Sequence, residues 1–424
     1  MKTLLRLLSF MATAWTLLTY IQPKRHPTWL YLGWIKIVAG SMTPVLALFG
    51  AIYTLLGWRR RDWLVVLTSL VGTVLALRHV AQVTAPHEAF DRAFGPYWRG
   101  DIPMKLRKRL RPRRFTPAPF APRDYFFQRG LTLGYNSESG DAILADLWTP
   151  PPDVDPTGLG IIYLHGSAWH YMDKDMGTRP FFAYLTGQGH TVLDVAYTMA
   201  HKSRLPGMVG DVKQAIAWFK LNAAALKVNP ERIILWGGSA GGHLALLSAY
   251  TPNHPKWQPA NLDVDTGVRG VVSYYGLTDL AATQHLLAEM PDLPTYQQQA
   301  VVNMMRKVRL LPLDGEFVST AELVPHLLGG ALADMPELYD DSSPIRYVGP
   351  HCPPTLLING AHDFAVEVSQ HQRLHGALVA ADVAAAHIEF PLTDHAFDLF
   401  FPAINPAGQS ALYDLERFLA LLMK

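Results

Sequence analysis

The residues best placed to do chemistry begin with a serine. Ser239 sits in ILWGGSAGGHLA, residues 234–245, among four glycines. Ile233 to Trp236 have the composition of a buried strand and His243 to Leu247 continue as a helix, so the serine falls on a sharp strand-to-helix turn. Gly237, Ser239 and Gly241 satisfy G-x-S-x-G, in which small neighbours let the backbone turn tightly and lift the hydroxyl at the sheet's carboxyl edge. A nucleophile is one use of such a turn, and a phosphate cradle is another. To be reactive the serine needs a base, an orienting acid and an anion site.

His395, in PLTDHAF, follows a strand-like run ending at Phe390 and comes late in the chain, where the base belongs if the order is serine, acid, histidine. The candidate acid is Asp363, in TLLINGAHDFAV, a few residues beyond a buried run on a loop opening into a helix. An aspartate there also serves as an N-cap. Asp394 and Asp398 flank the histidine too closely in sequence to orient it easily. In concert, the imidazole takes the serine proton during attack, and the carboxylate fixes the ring's tautomer. The oxyanion then needs fixed N–H donors, which YLHGSAW can supply from Gly166, Ser167 and Ala168, joined by Ala240 after the nucleophile.

The elements that must hold these groups alternate. Leu131 to Tyr135 and Ile143 to Thr149 read as an edge hairpin. Gly160 to Leu164, Thr191 to Ala196, Arg232 to Trp236, Val268 to Tyr274, Thr355 to Ile358 and His387 to Phe390 read as short strands, separated by helical stretches such as Met208 to Ala225 and Glu367 to Val379. Such alternation implies an α/β fold: a mostly parallel, doubly wound sheet whose strand carboxyl ends gather the chemistry.

Before this domain the chain has another character. Through Asp124 there are nineteen Lys/Arg against five Asp/Glu, and thereafter eighteen against thirty. A basic, apolar start followed by an acidic globular part fits a membrane anchor on a catalytic domain and argues against a nucleic-acid binder. Leu4 to Ile21, Ile37 to Trp58 and Trp63 to Leu77 or Val83 are expected to span a bilayer as about three transmembrane helices within residues 1–85. Residues 86–128 read as a basic, Pro-rich linker, with Pro112, Pro117, Pro119 and Pro122 extended and Lys105, Arg107, Lys108, Arg109, Arg111, Arg113 and Arg114 suited to anionic headgroups. These charges, with Lys24 and Arg25, outnumber Lys2, Arg6 and Arg59 to Arg61 and place the catalytic domain on the cytoplasmic face. Cys352 is a single thiol, which excludes a disulfide framework. His165, His170 and His190 lack an accompanying ligand set, so no metal or other cofactor is implied.

The serine elbow, the HGSAW loop, Asp363 and His395, in this order, resemble the α/β-hydrolase superfamily. The branch most similar contains hormone-sensitive-lipase-like carboxylesterases, isoprenylcysteine methylesterases and kynurenine formamidases. DVKQAIAWFKLNAAALKVNPERIILWGGSAGGHLA, YGLTDL and SSPIRYV extend the resemblance over roughly residues 130–424. Members usually carry HGGxW where Ser167 stands here, and a histidine where Asn359 stands. The resemblance implies a catalytic domain over 129–424 with a helical cap inserted at 281–341 (LLAEM, VVNMMRKVRLL, AELVPHLLGG) that shapes the pocket. It implies a serine ester hydrolase acting through an acyl-enzyme on a small-molecule or lipid-like ester. Acyl transfer to another acceptor and formamidase-like amide cleavage are alternatives on the same fold, and a silent membrane scaffold is an alternative of another class.

Overall fold

A computed structural model describes residues 2–22, 28–117, 125–174, 177–289, 303 and 318–423. The chain opens with α1 (Lys2–Leu18), α2 (Thr28–Ser41), α3 (Thr43–Arg59) and α4 (Trp63–Val83). Short helices α5 (Ala89–Phe94), α6 (Trp98–Asp101) and α7 (Met104–Arg107) lead to β1 (Phe126–Tyr135) and β2 (Ala142–Thr149). There follow β3 (Gly160–Leu164), α8 (Arg179–Gly187), β4 (Thr191–Ala196), α9 (Leu205–Leu221), β5 (Ile233–Gly238), α10 (Ala240–Tyr250), β6 (Gly270–Tyr274) and α11 (Leu280–Ala288). The chain closes with α12 (Leu323–Leu328), α13 (Pro336–Asp341), β7 (Thr355–Gly360), α14 (Val368–Ala380), β8 (Ala385–Phe390) and α15 (Pro406–Leu421).

The eight strands form one sheet in the order β1-β2-β4-β3-β5-β6-β7-β8. The β1–β2 and β2–β4 pairs are antiparallel and the rest parallel. Inner strands covered on both faces must be apolar at every position, and β3 and β5 are buried throughout. Their side chains alternate between two cores. Ile162, Leu164, Ile233 and Leu235 face α9, α10 and α14, while Ile161, Tyr163, Ile234 and Trp236 face α8 and α15. Ile37, Val83, Phe90 and Trp98 join the second core, so the N-terminal region is packed onto the part that carries the sheet.

Within that region, α1, α3 and α4 bundle through small and hydroxyl residues. Ser9 meets Thr68 at 2.6 Å, the Thr13 hydroxyl donates to Thr68 O at 2.8 Å and Tyr20 Oη donates to Leu75 O at 2.7 Å. Such bonds and close backbone approaches hold apolar helices together. Leu4, Leu7, Phe10, Leu48, Leu55, Leu67, Val74 and Leu77 point outward.

Two expectations are corrected. The apolar stretch Ile37 to Trp58 is not one helix: α2 and α3 meet at a bend of 70°, because Pro44 in the first turn of α3 cannot continue the preceding helix. Among the described residues α4 alone is long and apolar enough to cross a membrane by itself, and α2 with α3 passes the same test only as a bent pair. The described part of 86–128 is not an extended tether either, since it carries α5 to α7. Arg111 is buried, with its backbone N–H donating to Glu416 at 2.7 Å; Arg114 forks onto Asp414 at 2.6 and 2.8 Å, and Arg109 donates to the carbonyls of Asp155 and Gln188. These arginines are therefore engaged within the protein rather than offered to headgroups. Pro119 and Pro122, and VVNMMRKVRLL apart from Asn303, lie outside the described residues.

Candidate active site

The turn after β5 places Ser239 at φ 53°, ψ −122°, a conformation side-chain-bearing residues avoid. It persists because the backbone around it is closely packed. A Cβ on Gly241 would overlap the carbonyl oxygens of Leu164 and His165, and one on Gly237 would overlap the backbone of Gly241. The elbow's glycines are there for contact between main chains.

His395, on the loop after β8, lies with Nε2 3.0 Å from Ser239 Oγ and Nδ1 2.9 Å from Asp363 Oδ2. The other oxygen of Asp363 accepts from the N–H groups of Ala365 and Val366, each at 2.8 Å. The aspartate thus serves its own turn with one oxygen and the histidine with the other. Neither nearby alternative competes: Asp398 accepts from the Tyr275 hydroxyl, and Asp394 pairs with Lys36 at 2.7 Å.

Gly166 approaches Ser239 so closely that an added Cβ would stand 3.2 Å from the serine Cβ. The next three residues, Ser167, Ala168 and Trp169, all have positive φ, at 135°, 53° and 63°. Consecutive strain of this kind persists only where surroundings enforce it. Trp169 is held by its indole N–H donating to His243 Nδ1 at 3.3 Å, and His243 Nε2 in turn donates to Ser342 O at 2.8 Å. Ala240 opens α10 beside the serine. Sequence reading missed this brace, the Tyr275 ring 4.6 Å from the His395 ring, and Lys36. The one available signal was a lysine inside an apolar stretch. Asn359 accepts from His387 at 2.6 Å inside the sheet, and the thiol of Cys352 is buried.

Burial keeps several histidines neutral. His165, His170, His243, His362 and His387 are pushed down to about 4, and His190 and His371 to about 3. Burial pushes carboxyls the other way: Asp211 up to about 6, Asp394 and Glu416 to about 7. Below pH 6.5 the unfolded chain takes up protons these histidines refuse, so their contribution is lost as pH falls from 6.5 toward 4. The raised carboxyls work in the opposite sense, taking up protons in the fold as pH falls from 7, but they are fewer. The melting temperature should therefore drop between pH 7 and pH 5, and calorimetry showing a rise would contradict this balance.

Among known proteins, 378 residues align at 29% identity with a probable carboxylic ester hydrolase, LipM, of Mycobacterium tuberculosis (strain ATCC 25618 / H37Rv), covering 85% of this chain and 78% of that one. Esterase LipQ of the same organism is 30% identical over 259 residues, but the chain spans only 54% of its length. Among solved structures, a truncated form of carbohydrate esterase from gut microbiota superposes with a TM-score of 0.52 at 21% identity, covering 71% of this chain and 99% of that one. Thermogutta terrifontis esterase 2 superposes at 0.51 and 19%, covering 71% and 95%. The sheet described above is thus the fold of these esterases. Since the BD-FAE family model matches residues 145–378, more than half of the chain, the protein belongs to that family and is an ester-hydrolysing enzyme.

Proposed function

We propose that this is a membrane-anchored serine carboxylic ester hydrolase, with Ser239 as nucleophile, His395 as base and then acid, and Asp363 as its orienter. The observation that carries the reading is the chain of contacts from Ser239 Oγ through the His395 ring to Asp363, at 3.0 and 2.9 Å. His395 Nε2 takes the hydroxyl proton as Oγ attacks the ester carbonyl, and Asp363 stabilises the imidazolium. Backbone N–H groups of Gly166, Ser167, Ala168 and Ala240 receive the oxyanion. As the intermediate collapses, His395 hands its proton to the leaving alkoxide; it then activates water to release the acyl group from Ser239.

Three crossings, α1, α3 and α4, anchor residues 1–85, with residues 129–424 forming the catalytic domain on the cytoplasmic face. The 21 residues of α4, roughly 31 Å, match a bilayer's hydrocarbon core of about 30 Å, whereas the 17 residues of α1 and of α3, roughly 25 Å each, need their flanking residues to complete a crossing. Outward-facing leucines and phenylalanines support this, as does the T-shaped pair Trp58–Trp63 beside Arg59 to Arg61. An anchor so close to the site favours membrane-partitioned esters as substrates.

The test is a fluorophosphonate probe on the detergent-solubilised enzyme, with the adduct located by mass spectrometry. A single adduct on Ser239 with parallel loss of ester cleavage is expected; an intact, labelled enzyme that still cleaves esters would refute the assignment. Added alcohols should not divert more than a minor part of the acyl group from water, which separates hydrolysis from acyl transfer.

A further inference from the structure

Lys36 is a charged residue in an otherwise apolar helix, and it is nearly sealed from solvent. Its side chain is 2% exposed, and that of its partner Asp394 is 3%. Nζ lies 2.7 Å from Asp394 Oδ2 and 3.0 Å from His362 Nδ1. An ammonium can only donate, so the His362 nitrogen accepts, as a neutral imidazole does. Burial, reinforced by the charge of Lys36, holds His362 neutral by lowering it to about 4.

The positions of these partners matter more than their identities. Asp394 immediately precedes His395, and His362 immediately precedes Asp363. One ammonium, 326 residues away from His362 in sequence, therefore bridges the two loops that carry the base and its orienter. Other contacts of α2 run to the same rim. The ring of Phe364 fills the space that a side chain on Gly33 would occupy, Trp34 meets Phe400 edge-on at 6.2 Å, and Ser41 accepts from Asn405 at 2.9 Å. On its other side α2 exposes Leu32 and Ile35.

Asp394 is also a hazard for the reaction. It is a second buried carboxylate beside His395, and its Oδ1 finds no hydrogen-bond partner among the described residues. Without Lys36, its charge acts unopposed on the imidazole that Asp363 must hold, which already interacts with it electrostatically. We propose that Lys36 is a positioning residue of the hydrolase: it ties the two loops together and engages Asp394, leaving His395 aligned between Asp363 and Ser239. The N-terminal helical region is in this sense part of the catalytic unit, and a disturbance of α2 reaches the active site directly. This role rests on the serine-hydrolase reading given above.

The experiment uses the full chain in detergent, with active sites counted by fluorophosphonate titration and rates measured on a short p-nitrophenyl ester. Lys36→Met should lower kcat per titrated site on the order of ten- to a hundredfold, as a small misplacement of a catalytic group does, with KM within about twofold. Lys36→Met/Asp394→Asn, which removes the orphaned carboxylate, should recover most of that loss. A merely structural lysine would reduce the number of titratable sites or the melting temperature and leave kcat per site unchanged. That result, or a double variant no better than Lys36→Met, overturns the proposal. If Lys36→Met gives no folded enzyme, the double variant and Lys36→Gln, which keeps one donor, decide by the same ratio. Failure of the unaltered enzyme to label at Ser239 overturns the hydrolase reading and this role with it, whereas labelling with unchanged kcat in the variants overturns this role alone.

Discussion

Ser239→Ala is expected to cut ester turnover by roughly 10⁵- to 10⁶-fold, the scale on which removal of a nucleophile acts when base and acid depend on it. The hydroxyl's bond is to His395, so in the proposed mechanism its loss removes the attacking atom and leaves the ring with nothing to deprotonate. The fold should hardly notice. Alanine keeps the Cβ that already tolerates φ 53°, and the melting temperature should stay within a degree or two. A residual rate above background is expected from the oxyanion donors alone. Steady-state kinetics with a fluorophosphonate control measure this directly, and retention of more than about one per cent of kcat would remove Ser239 from the mechanism.

The second large effect concerns a residue with no side chain. At Gly241→Ala the new methyl would collide with two carbonyl oxygens, those of Leu164 and His165, at the end of β3. Backbone cannot swing aside as a flexible side chain can, so α10 must shift away from β3. Ser239 would then move relative to the HGSAW loop. Overpacking of this kind costs about 1–3 kcal/mol or more, and the displacement should lower kcat on the order of a hundredfold. Gly376→Ala, on the exposed side of α14 with nothing near its Cβ, is the matched control and should stabilise by about 0.5–1 kcal/mol. Thermal melts and kinetics on the pair distinguish a steric requirement from a general dislike of substitution. Equal behaviour of the two variants would refute it.

The sheet and its helices were legible because their signals are local. Short β-rich runs between helical stretches gave the strands to within a few residues: Thr191–Ala196 falls where expected, and β5 runs two residues past its expected end into the elbow. A parallel sheet buried on both faces leaves no other composition for its strands. Asp363 stood out from Asp394 and Asp398 on sequence separation, and the structure brings it to the His395 ring. What sequence could not show were pairings across hundreds of residues. Lys36 looked like an intrusion in an apolar span, yet its partner is Asp394. The 70° break before Pro44 was masked by an unbroken apolar composition. Arg109, Arg111 and Arg114 read as linker charge suited to anionic headgroups because their acceptors lie on distant elements, α15 among them.

The sheet's strand order sets a timetable for biosynthesis. The Ser239 elbow follows a central strand, whereas the His395 imidazole arrives after the last edge strand, 156 residues later. At a translation rate of about 5–20 residues per second, that separation corresponds to roughly 10–30 s. For that interval a nascent chain already carrying Ser239 lacks the imidazole that the fold sets beside it. The contact between Ser239 and His395 can therefore form only after both halves of the sheet have been made.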